Sequence, residues 1–122
     1  MKNLQAVKAV SLLNSIIEGV LQNGIITNTV IDQLKELRPH TITEELPLLA
    51  KATRLAAEHI DEFGTFAIPI PEEESIEEEG ETLATEGDAT ESFHYFLCLI
   101  RDVHKKANEE ELRVYVKALQ DY

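Results

Sequence analysis

The stretch 44–63, EELPLLAKATRLAAEHIDEF, decides how this chain is read. Leu46, Leu49, Ala56, Ile60 and Phe63 fall on one apolar line of a helix, and Leu48, Ala52 and Leu55 fall on a second. Two such lines imply a helix buried on two sides. Alanines at 50, 52, 56 and 57 leave little side-chain bulk, so neighbouring helices can approach closely. A helix over 44–63 is therefore expected at the centre of a helical bundle. Thr41 or Thr43 supplies its cap, Glu44 and Glu45 suit its positive end, and Pro47 comes early enough to be tolerated. Gly64 terminates it.

Upstream, the spacing predicts a helix over 3–23. Lys8, Ser11, Ser15, Glu18 and Gln22 form one polar stripe, while Leu4, Val7, Val10, Leu13, Ile17 and Val20 lie apart from it. Asn23-Gly24 gives it a left-handed stop. A short helix over 30–37 follows, capped by Thr29 and ended by Pro39, because the residue before a proline is pushed out of helical geometry.

Downstream, residues 65–71 read TFAIPIP. The two prolines exclude a helix and a central strand, so an extended strap across the bundle is expected. Phe66, Ile68 and Ile70 alternate along it; they cover the edge of the core, or alternatively form a ridge facing a partner. The run 71–91, PEEESIEEEGETLATEGDATE, then carries ten carboxylates and no lysine or arginine. Such dense like charge favours a solvated loop. A helix over 90–107 has Phe93, Phe96, Leu97, Ile100 and Val103 on its apolar stripe. Asn108 followed by Glu109, Glu110 and Glu111 reads as a fresh helix start, which splits off a last helix over 109–120. The fold class is all-α: a single domain over 1–122 built as a bundle of four to five helices, with a proline-containing strap and a long acidic loop.

A chain of 122 residues is long enough to bury about 65–70% of its unfolded surface without cross-links. Its formal net charge is -12, and nearly all of that resides in 71–91, since acids and bases almost balance elsewhere. This sign excludes nucleic acid and anionic membranes as partners. Polar residues interrupt the N-terminal apolar positions and no run is long enough to cross a bilayer, so a soluble, cytoplasmic protein is expected. The single cysteine, Cys98, excludes an internal disulfide and a cysteine-based zinc cluster.

Chemical motifs are sparse. Glu91 and His94 form a Glu-x-x-His pair at helical spacing, the unit from which di-iron bundles are assembled. One copy is present where two are required, and His59 does not reproduce it. A metal site on Glu91, His94 and His59 is therefore the weaker reading, and an exposed capping carboxylate beside an unrelated histidine the stronger one. His59 and His104 read as half-buried structural histidines, and Cys98 as a structural thiol despite His94 one turn away. The glutamate run lacks the alternating Asp and Asn oxygens of a calcium loop.

These features argue for a protein with no enzymatic activity and no cofactor. The leading reading is a small interaction module of the inhibitor, immunity-protein, adaptor or chaperone type, docking a basic protein surface. Its expected contacts are Glu72, Glu73, Glu74, Glu77, Glu78, Glu79 and Glu81, with Phe66, Ile68 and Ile70 beside them. The alternatives are a metal-binding bundle and a self-associating structural subunit, the last implying a homodimer.

Overall fold

The computed structural model describes residues 1–71 and 86–122, the side chains of 86–88 apart. The predicted contact residues between Glu72 and Glu81 lie outside the described residues. Five helices are present: α1 (Val7–Asn23), α2 (Thr27–Thr43), α3 (Pro47–Phe63), α4 (Glu86–Arg101) and α5 (Lys106–Asp121). No strand occurs among the described residues, so the expected all-α architecture is what the chain adopts. None of the described helices is long and apolar enough to cross a membrane.

The helices close into a ring. α1 packs on α2, α2 on α3, α3 on α5, α5 on α4, and α4 back on α1, with the α2–α3 hairpin the most extensive pairing. Each helix thus has two main neighbours, and α3, buried against α2 and α5 as its two apolar lines suggested, carries nine buried residues. The 65–71 strap adds a core residue of its own: Phe66 is buried with its ring centroid 5.0 Å from Phe93, 5.2 Å from Phe96 and 5.9 Å from Tyr115. Aromatic pairs at such distances add about 0.5–1.5 kcal/mol each beyond the burial of their area. Around them lie Leu13, Ile16, Leu34, Leu37, Leu49, Ile60, Leu97 and Ile100, all fully buried.

The expected helix over 30–37 proves much longer, and Pro39 lies inside it. Proline there removes one backbone hydrogen bond and costs about 3 kcal/mol in an isolated helix. Tertiary packing overrides that cost. Leu37 and Thr41 are buried on either side of the exposed Pro39 ring, and Thr41 Oγ1 donates to the Arg38 carbonyl at 2.6 Å. The turn beyond is closed by Glu44 N–H on the His40 carbonyl and Leu46 N–H on the Thr41 carbonyl. Consequently α3 starts at Pro47, where proline is preferred, and neither Thr41 nor Thr43 caps it.

Glu44 has a different task from the one its position suggested. Its carboxylate accepts the backbone N–H groups of Gln5 at 2.7 Å and Ala6 at 2.9 Å, capping α1 from a distance. This fixes the start of α1 at Val7, four residues later than the predicted start at 3. The split between the last two helices occurs as expected, but at 102–105 and not at 108. Asn108 does not cap α5: its Nδ2 donates back to the Asp102 carbonyl, and Asn3 Oδ1 accepts the His104 N–H, so polar side chains form the corner without glycine or proline. At the other extreme α4 begins at Glu86, which places 86–91 of the expected loop within the helix.

Candidate functional site

Chain direction sorts the helix termini into two groups. Thr27 Oγ1 lies 3.5 Å from the Gly64 carbonyl, a Cβ on Gly24 would lie 3.6 Å from Thr90 Oγ1, and the Tyr122 ring contacts Phe63 at 5.0 Å between centroids. The C-termini of α1, α3 and α5 and the N-termini of α2 and α4 therefore meet at one end. The contacts of Glu44 with Gln5 and Ala6, and of Asn3 with His104, mark the opposite end.

Charge separates along the same axis. Within the seven residues of each helix nearest the first end stand Glu18 on α1, Asp32 on α2, Glu58, Asp61 and Glu62 on α3, Glu91 on α4, and Asp121 on α5. The sole base there is Lys117, paired with Asp121 at 3.2 Å. The opposite end is nearly neutral: Lys2, Lys8, Arg38, Lys51, Arg101, Lys105 and Lys106 face Glu44, Glu45, Asp102 and the α5 carboxylates Glu109, Glu110 and Glu111. The chain also leaves the bundle at Pro71 and rejoins it at Glu86, both at the acidic end. The seven glutamates between them are thus tethered where the folded part is already negative.

Three of these acids are placed against local preference. A helix C-terminus carries partial negative charge, and an acidic residue in its last turn is disfavoured by about 0.3–1 kcal/mol. Asp61 and Glu62 end α3 and Asp121 ends α5, and neither helix has a base in its last turn.

An aromatic corner closes this end. His59 is buried, with the rings of Phe63 and Tyr122 each 4.8 Å from its own. Its Nε2 accepts the Ala67 N–H at 3.0 Å, which pins the strap and requires a neutral imidazole protonated on Nδ1. Burial pushes the His59 pKa below the usual value, against the opposing influence of Glu62. Phe63 and Tyr122 are 45% and 63% exposed, so the corner presents rings to solvent beside Asp61, Glu62 and Asp121.

Of the predicted contact residues, Phe66 and Ile68 are core side chains and form no outward ridge; only Ile70 is half-buried. Their burial is enforced by a polar clasp. Ser92, itself buried, donates its hydroxyl to the Ile68 carbonyl at 2.6 Å, and the buried Tyr115 hydroxyl lies 2.8 Å from Ser92 Oγ and 3.2 Å from its carbonyl. Tyr115 is held un-ionised mainly by burial. Nearby, the Tyr95 hydroxyl donates to Glu111, which pushes its pKa up to about 12.

The metal reading finds no cluster: among the described residues no group of three or more His, Cys, Asp and Glu side chains is arranged to hold an ion. Glu91 is exposed, His94 faces Cys98 with Nε2 3.9 Å from Sγ, and His59 sits on α3, which is not a neighbour of α4 in the ring. Burial pushes the Cys98 thiol up, outweighing Arg101, and so disfavours the thiolate a nucleophile needs. Comparison with protein-family models, curated proteins and solved structures found no match for the chain.

Proposed function

We propose that this protein is an interaction module that docks a basic partner protein through the acidic end of its bundle, as an inhibitor, immunity protein, adaptor or chaperone does. The observation that supports it is the gathering of carboxylates at that end, including positions where the helix dipole opposes them. A field concentrated at one end orients an approaching cation-rich surface and accelerates encounter. The exposed rings of Phe63 and Tyr122 offer the apolar contact that charge alone does not provide. A cytoplasmic setting forms part of the proposal, in keeping with the free thiol of Cys98.

The test is capture from native lysate at low salt, using the intact protein beside a variant with Glu→Gln changes across 72–81 and a second with Asp61→Asn and Glu62→Gln. A partner retained by the intact form, reduced in both variants and released by salt is the expected result. Equal recovery from all three contradicts the proposal.

A further inference from the structure

We infer that the groove between α2 and α3 is a binding site for a small molecule bearing a carboxylate or phosphate group, held by Lys35, Arg38 and Arg54. The cleft runs along the side of the bundle and reaches Glu58 and Asp61 of the acidic end, but the site on its three bases does not depend on the docking proposal.

Lys35 and Arg38 are three residues apart on α2 and so share a face, and Arg54 approaches them from α3. Together they line a cleft of about 310 Å³, near the lower bound of small-ligand sites. In a chain of net charge -12, this cleft gathers three bases against two acids, Glu58 and Asp61. Neither Lys35 nor Arg38 forms an ion pair with a described residue. Arg54 reaches only Glu58, at 3.4 Å and with both side chains largely exposed, a geometry worth little.

Arg38 is half-buried, and its Nε donates to the Ala50 carbonyl at 3.1 Å. That bond orients the planar guanidinium while leaving both terminal nitrogens without a described partner, the fork that grips an oxyanion with two parallel hydrogen bonds. The floor between the helices is apolar, from Leu34 and Ala57. Glu58 and Asp61 stand farther along the same cleft. The ligand thus has an anionic head on the arginines and hydrogen-bond donors, hydroxyl or amino, at its other end.

Thermal unfolding followed with citrate and, separately, inorganic phosphate tests this, with sodium chloride at matched ionic strength as the control. The two anions distinguish a carboxylate from a phosphate ligand. The expected result is a saturable rise in unfolding temperature with at least one of them, weakened about tenfold or more by Arg54→Gln and by Lys35→Gln. Both of those side chains are partly or fully exposed, and circular dichroism verifies that the variants fold; Arg38→Gln is a third variant, whose lost bond to Ala50 makes it less clean. Stabilisation no greater than chloride gives, or equal affinity in Arg54→Gln and Lys35→Gln, overturns the inference. Partner capture by these variants should match the intact protein, which separates this site from the acidic end.

Discussion

At the acidic end, the strap passes over the bundle and lowers Phe66 among Phe93, Phe96 and Tyr115, with Ser92 and His59 fastening its backbone. At the opposite end no aromatic seal is present among the described residues. Instead, single polar side chains stitch backbone groups together: Glu44 onto Gln5 and Ala6, Asn3 onto His104, Asn108 onto Asp102. The difference shows how one small domain carries a large charge imbalance without splaying. The carboxylate-rich end is closed by aromatic rings, while the nearly neutral end is closed by aliphatic side chains such as Leu37, Leu49, Val103 and Leu112 and by hydrogen bonds between distant segments. The two ends are thus held by different interactions, and mutations at them should behave differently.

The sharpest contrast is Phe66→Ala, which empties the centre of the aromatic cluster. It should cost about 3–5 kcal/mol, measured by urea unfolding, whereas Ile70→Ala on the same strap should cost far less because Ile70 is only half-buried. Similar small losses for both would mean that the strap lies on the surface. Next is Ser92→Ala, which strands the Ile68 carbonyl in an apolar setting, while the Tyr115 hydroxyl keeps its bond to the backbone carbonyl of residue 92; it should cost about 1–3 kcal/mol. Tyr115→Phe in the same background should not recover that loss, since the hydroxyl it removes is still bonded to that carbonyl.

At the stitched end, Glu44→Ala should cost about 1 kcal/mol, the usual worth of a helix N-cap. The two backbone N–H donors hold the Glu44 carboxyl below its ordinary pKa. Its contribution is therefore complete above the unfolded carboxylate value and disappears as pH falls through the lowered folded value. Unfolding midpoints at pH 7 and pH 3 should differ less in Glu44→Ala than in the unaltered protein.

The smallest effect belongs to His59. Its folded pKa is lowered by burial, so the fold favours the neutral ring. That contribution is complete above the unfolded histidine value of 6.5 and is lost as pH falls from there through the folded value. Between pH 7.5 and 5.5, His59→Gln should flatten the decline in stability; an unchanged slope would place the titrating group elsewhere.

Periodicity made the helices legible, because Leu13, Ile17, Leu49, Ile60, Phe96 and Ile100 repeat at helical spacing whatever their partners are. Phe66 and Ile68 also revealed an extended strap, since Pro69 and Pro71 leave few alternatives. Boundaries were less legible wherever a distant group decided them. Pro39 reads locally as a stop, and only the burial of Leu37 and Thr41 explains why the helix passes through it. Glu44 reads as part of its own helix, and only the return of the chain brings it to Ala6. The acidic end was illegible for the same reason. Glu18, Asp61, Glu62, Glu91 and Asp121 look scattered along a nearly balanced sequence until helix direction assembles them.

The most direct test of the acidic end as a docking surface is nuclear magnetic resonance mapping of backbone amides during titration with a synthetic lysine- and arginine-rich amphipathic peptide. The account predicts salt-sensitive shifts confined to residues near Gly24, Asp61 to Gly64, Thr90 and Tyr122, with the amides of Ala6, Glu44 and His104 unmoved. Shifts centred on Ala6, Glu44 and His104, or spread evenly over both ends, would contradict it.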